Sequence, residues 1–147
     1  MKYYLSIIIA IISISCVSKK IESSKTVAQT PKSNHEVFEY QEGDTTYVMQ
    51  KYFLVLLKKG PNRNQSQEEA TEIQKRHLEH LAWLDKLGKV SIVGPSEGHD
   101  TIAGFVLFNT ETIKEADSLA KLDPAVKAGR LVVEILPWWA AKGSKLK

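Results

Sequence analysis

The sequence predicts an α+β domain, a single antiparallel sheet of four strands with two helices on one face. Three observations predict it. Short extended runs rich in Val, Leu, Ile and Phe recur at 52–57, 90–93, 102–108 and 131–136. Two longer segments, 67–87 and 110–123, repeat apolar residues at helical spacing. Turn residues, among them Gly60-Pro61, Gly88, Gly94-Pro95 and Asp123-Pro124, separate them. Period-two and period-3.6 patterns cannot interchange, because each puts its apolar residues on one face of only one kind of element.

In chain order, Val37-Phe38-Glu39-Tyr40 and Thr46-Tyr47-Val48-Met49 flank Glu42-Gly43-Asp44-Thr45. Two β-prone runs around a glycine-containing turn read as a hairpin preceding the main sheet. Tyr52-Phe53-Leu54-Val55-Leu56-Leu57 is apolar at both parities, so it reads as a central strand covered on both sides. The helix at 67–87 carries Ala70, Ile73, Leu81 and Leu84 on one stripe, and Lys86-Leu87-Gly88 supplies a basic last turn and a stop. Val90-Ser91-Ile92-Val93 is the second strand and 102–108 the third, again apolar at both parities. Thr110 is the expected cap of the next helix, whose stripe is Ile113, Ala116, Leu119 and Ala120. That helix must end at Asp123, because the residue before proline is disfavoured in helical conformation. The last strand, 131–136, is expected to close at Pro137-Trp138-Trp139.

The order strand, helix, strand, strand, helix, strand is the split βαβ pattern of ferredoxin-like domains. Two helices cover one face of such a sheet, yet two of its strands are apolar on both faces. An identical sheet from a second copy is the economical cover, so the sequence predicts a homodimer with two sheets packed face to face.

Ahead of the domain, residues 1–15 run from Lys2 through an apolar stretch at 5–14, broken by Ser6 and Ser13, to small residues before Cys16. This is the layout of a signal peptide, and the apolar run falls short of the ~20 residues that cross a bilayer. Ser13-Ile14-Ser15-Cys16 resembles a bacterial lipobox, although Ser13 stands where that pattern favours Leu. The expectation is an exported lipoprotein, lipidated at Cys16 and held at a membrane by that anchor. Residues 16–35, rich in Ser, Lys, Thr and Gln, read as a flexible tether. The domain with its hairpin is assigned to 36–143, and 144–147 form a tail.

Composition excludes several classes. Lys and Arg total 20 against 17 Asp and Glu, and without a leader that contains Lys2 the balance is 19 against 17. So slight an excess argues against a nucleic-acid partner. One cysteine allows neither an internal disulfide nor a cysteine metal cluster. Neither glycine-rich phosphate fingerprint is present, so no nucleotide cofactor is expected.

His77 lies four residues after Ile73 and four before Leu81, on the sheet-facing stripe of the first helix, where leucine would ordinarily pack. The residues alone leave two readings open: a core histidine satisfied by one hydrogen bond, or a proton-transfer group. Asp123 is a helix-terminating turn residue or a carboxylate partner for that ring. His80, one turn on, is a candidate substrate-binding residue. It could share a metal with His77 only if His99, Asp100 or Asp123 completed the ligand set, so no metal is expected. Arg63, after a Gly-Pro turn, could hold a substrate carboxylate or phenolate through its planar fork. Glu134 is either paired in a pocket or placed at an exposed edge, and Trp138 and Trp139 read as strand-end packing.

Taken together and in order, Gly60-Pro61-Asn62-Arg63, His77-Leu78, Gly88 with Val90 to Gly94-Pro95, Asp123-Pro124, Lys127-Ala128-Gly129-Arg130 and Pro137-Trp138-Trp139 resemble the YCII-related family. The resemblance covers about 52–143. It implies a dimeric ferredoxin-like α/β-barrel and a functional pair, a helix histidine and the aspartate of the Asp-Pro step, which fall on His77 and Asp123. Dehydrochlorination of a chlorinated hydroquinone has been attributed to one family member. The expected function is a small-molecule enzyme using His77 and Asp123 for proton transfer or elimination on a small compound, aromatic ones included. The alternative is a non-catalytic ligand-binding dimer tethered to a membrane. The loop Ser96-Glu97-Gly98-His99-Asp100 matches no family pattern.

Overall fold

The structure is a computed structural model and describes residues 34–146. The leader at 1–15, the lipidation candidate Cys16 and nearly all of the expected tether lie outside the described residues.

Five strands and three helices follow in the order β1 (Val37–Glu42), β2 (Thr45–Lys59), α1 (Gln67–Lys86), β3 (Val90–Pro95), β4 (Ile102–Phe108), α2 (Ile113–Lys121), α3 (Pro124–Lys127) and β5 (Leu131–Ala141). Every strand pairing is antiparallel. The four domain strands lie in the order β5-β2-β4-β3, so the first and third strands of the βαββαβ unit are central, as in a ferredoxin-like fold. The second arm of the hairpin and the first domain strand, read separately from the sequence, are one fifteen-residue strand. Residues 45–50 of β2 pair with β1, residues 53–58 with β4, and 49–59 with β5 along the other edge. The turn signal at Gly60-Pro61 therefore ends one long strand, and Gln50 and Lys51 do not interrupt it.

The core forms where alternate residues of the central strands meet the helices. Phe53, Val55 and Leu57 of β2 and Val106 and Phe108 of β4 are buried against Leu81 and Leu84 of α1 and Ala116 and Ala120 of α2. The two alanines let α2 approach closely, and Leu84, with no exposed surface, contributes roughly 1.5–3 kcal/mol through burial.

Helix α1 starts at a complete capping box: the Ser66 hydroxyl accepts from the Glu69 N–H, and the Glu69 carboxylate accepts from the Ser66 N–H. Helix α2 is capped by Thr112, whose hydroxyl accepts from the Glu115 N–H at 3.1 Å. The expected cap, Thr110, is instead fully buried and donates its hydroxyl to the Thr112 carbonyl. Both threonines precede the apolar stripe, and the packing of Thr110 beneath the helix start selects the later one. Strand β5 also outruns its expected end, continuing through Pro137 to Ala141. Proline is tolerated because β5 pairs only with β2, so one side of its backbone has no ladder to supply.

The sheet face opposite the helices carries Leu54, Ile92, Phe105, Val132, Leu136 and Trp138, most of them over a third exposed. Among them Lys58 pairs with Glu134. No helix among the described residues is long and apolar enough to cross a membrane.

Candidate functional site

His77 occupies the middle of α1 and is 7% exposed; Asp123 follows α2 and is 3% exposed. The Asp-Pro step explains the position of the carboxylate. Asp123 takes φ −58°, ψ 127°, which stops α2, while the fixed φ of Pro124 suits the first position of a new helix, α3. This short helix went unread in the sequence, where Pro124 registered as a stop alone. One carboxylate oxygen of Asp123 accepts from the Ala125 N–H at 2.7 Å and caps α3; the other lies 2.6 Å from Nδ1 of His77. The two readings of Asp123, turn residue and histidine partner, are thus a single arrangement with one job for each oxygen.

With both oxygens accepting, the pattern assigns the ring proton to Nδ1 and leaves the Nε2 lone pair for another partner. His77 lines a cavity of about 690 Å³, walled by apolar residues including Leu57, Leu78, Leu81 and Val93. Lys59, Arg63 and Arg130 line the same cavity, and so do Gln74 and Asp85. A polar dyad this deeply buried is tolerable because its members satisfy each other; an unmatched buried polar group costs about 1–3 kcal/mol.

The other candidates divide. Arg63 reaches the His77 cavity. His80 does not: it borders a separate groove with Arg76, Glu79 and Trp83, and its Nε2 donates to the Leu119 carbonyl at 3.1 Å. His77 and His80 therefore border different cavities. His99 accepts the N–H groups of Thr101 and Ile102 through Nδ1, which organises the turn into β4. No group of three or more metal-type side chains converges among the described residues. Glu134 pairs with Lys58 on the sheet's open face, and Trp139 packs edge-on against Phe38 of the hairpin, with ring centroids 4.9 Å apart.

Arg130 went unassigned in the sequence. It is brought to the cavity by a latch between the loop after β2 and the loop before β5. The Gly60 N–H donates to the Arg130 carbonyl at 2.7 Å, and the Asn62 N–H donates to the Gly129 carbonyl at 3.1 Å. A Cβ on Gly60 would sit 2.2 Å from the Gly129 carbonyl oxygen, so only glycine permits this approach. The signal was there in Gly60-Pro61-Asn62-Arg63 and Lys127-Ala128-Gly129-Arg130, but nothing in the sequence tied one motif to the other.

An antiparallel sheet in β5-β2-β4-β3 order, with a cavity between it and its helices, defines a ferredoxin-like α+β domain. The chain belongs to the YCII-related domain family, whose sequence model matches residues 52–139. Among solved structures it is similar to 5-chloro-2-hydroxyhydroquinone dehydrochlorinase from Burkholderia phenoliruptrix AC1100, determined in complex with 2,5-dihydroxybenzoquinone. That similarity is 25% identity with a TM-score of 0.44, over 59% of this chain and 92% of the other. No curated protein matches the sequence.

Proposed function

We propose that the protein is a small-molecule enzyme in which His77 moves a proton and Asp123 orients it. The observation that carries this reading is the 2.6 Å contact between Nδ1 of His77 and Asp123, made by a residue that also lines the cavity. In a proton-transfer or elimination step, Nε2 takes a proton from a C–H bond of the substrate. The electron pair of that bond forms a double bond, and the leaving group departs with the electrons of its own bond. The imidazolium then releases its proton to the leaving group or to water. A small compound, aromatic ones included, fits the largely apolar wall, and Arg63 binds its anionic group.

Turnover should be screened by mass spectrometry on a panel of small organic acids and haloaromatics. His77→Gln should abolish it while the far-ultraviolet dichroism stays native, and unchanged turnover would sink the proposal. Saturable binding with no product from the native protein would instead favour a ligand-binding module.

Two further parts of the reading concern the setting of the domain. The apolar open face supports a second copy as its cover; sedimentation should give a dimer that Phe105→Glu converts to monomer. The lipobox-like Ser13-Ile14-Ser15-Cys16 supports export and lipidation. Labelled palmitate should enter the native protein and not the Cys16→Ala variant.

A further inference from the structure

Lys59, Arg63 and Arg130 all line the cavity that His77 borders, and none of them joins an ion pair among the described residues. Their convergence is built into the backbone. Lys59 ends β2 in register with Leu131, the first residue of β5, so it lies beside Arg130. The latch through Gly60 and Asn62 then brings the loop that carries Arg63 against the same strand end. Arg130 is half-buried and fixed: its Nη1 donates to the Gln65 side-chain carbonyl at 2.8 Å. That bond occupies one of the five guanidinium donors.

The cationic end also adjoins the dyad. The Arg130 N–H donates to the Ala125 carbonyl at 3.0 Å, and the Ala125 N–H donates to Asp123. Two hydrogen bonds therefore tie the arginine backbone to the carboxylate that holds His77. The acidic group of the cavity, Asp85, is eight residues along α1 from His77, about 12 Å by helix rise. Three cations thus share the wall with the histidine, and the lone acid of that wall stands a full two turns along α1 from it.

We propose that Arg130 is a second substrate-binding residue and that, with Arg63, it holds the carboxylate of a small organic acid. The apolar body of that acid lies against Leu57, Leu78, Leu81 and Val93. This assignment rests on the reading of the cavity as the substrate site. A carboxylate is favoured because planar guanidinium forks match its two oxygens, and an apolar cavity wall leaves few groups to satisfy a larger polyanion. Half-burial of Arg130 strengthens the selection, since a neutral ligand would cover its remaining donors without satisfying them.

Isothermal titration calorimetry with the full-length protein and 2-naphthoate, 2-naphthamide and 2-naphthyl phosphate tests it. The carboxylate should bind at least about 10-fold more tightly than the amide, and Arg130→Gln should erase most of that preference. Arg130→Lys, which keeps the charge and loses the fork, should recover only part of it. Thermal unfolding of each variant, unchanged within a few degrees, separates loss of the fork from loss of the fold. His77→Gln should retain the carboxylate preference, so failure of the acid-base chemistry would leave this assignment standing. Equal affinity for acid and amide, tighter binding of the phosphate, no saturable binding into the millimolar range, or a preference untouched by Arg130→Gln would each overturn it.

Discussion

The two faces of the sheet are built from the same strands, residue by alternate residue, and they differ in what closes them. On the helix side, Val55, Val106 and Phe108 are sealed under α1 and α2, and the buried polar groups His77 and Asp123 are matched to each other. On the open side, Leu136 and Trp138 remain over a third exposed beside the Lys58–Glu134 pair. Apolar content does not separate the faces; cover does. The cavity lies on the side where the helices bury the dyad and fix its orientation, while the open face carries an exposed apolar area with no such dyad.

The largest effect expected from breaking this contrast comes from Asp123→Asn. Asparagine keeps an oxygen to cap α3 through the Ala125 N–H, but it then turns an N–H₂ toward His77. The ring must then accept at Nδ1, so its proton moves to Nε2, and the nitrogen proposed as the base becomes a donor. Turnover should fall by about 10²- to 10⁴-fold with the fold intact. Nitrogen-15 chemical shifts of the His77 ring report the tautomer directly. Native turnover together with a reversed tautomer would separate the dyad from the chemistry.

A smaller effect, on stability, compares the faces themselves. Leu84 has no exposed surface and Leu136 is 41% exposed. Leu84→Ala should cost about 2–5 kcal/mol because it leaves a cavity among fixed neighbours. Leu136→Ala should cost less than about 1 kcal/mol at dilutions where only single copies are present. Urea denaturation followed by tryptophan fluorescence measures both. If Leu136→Ala costs as much at high protein concentration as Leu84→Ala does, cover of the open face by a second copy accounts for it. Smaller again is Thr112→Ala, at about 1 kcal/mol for the lost α2 cap.

The succession of strands and helices along the chain and the place of His77 on the apolar stripe of α1 were legible because each follows from local periodicity. Ile73, His77 and Leu81 share a stripe whatever the rest of the chain does. What escaped depended on contacts distant in sequence. Thr110 and Thr112 have equal intrinsic claims as caps, and burial of Thr110 under the helix start decided between them. Strand β5 passes through Pro137 because it lies at an edge, a fact of topology that the proline itself does not announce. His80 looked adjacent to His77, yet a three-residue step turns it about the helix toward Leu119. Arg130 was visible as part of a motif, but its role requires the latch to Gly60 and Asn62, which lie nearly seventy residues earlier. Elements are local properties, while the second cation of a site is a property of the whole fold.

The smallest effect concerns the rim of the covered side, where Glu115 of α2 meets Lys89 at 2.6 Å. Burial alone would raise the Glu115 carboxyl pKa. The Lys89 ammonium, the Glu111 N–H, and the charges of Lys89 and His35 outweigh that and hold it below the ordinary carboxylate value. A carboxyl group with a depressed folded-state pKa adds stability above its unfolded value, and the addition disappears as pH falls through the folded one. Glu115→Gln should therefore lower stability at pH 7, by less than about 1 kcal/mol because solvent screens so exposed a pair. The difference from the native protein should shrink once pH drops below about 4 and vanish in stronger acid. Urea midpoints measured across that range decide the matter. A difference that stays constant with pH would assign the effect to packing and remove the ion pair as its cause.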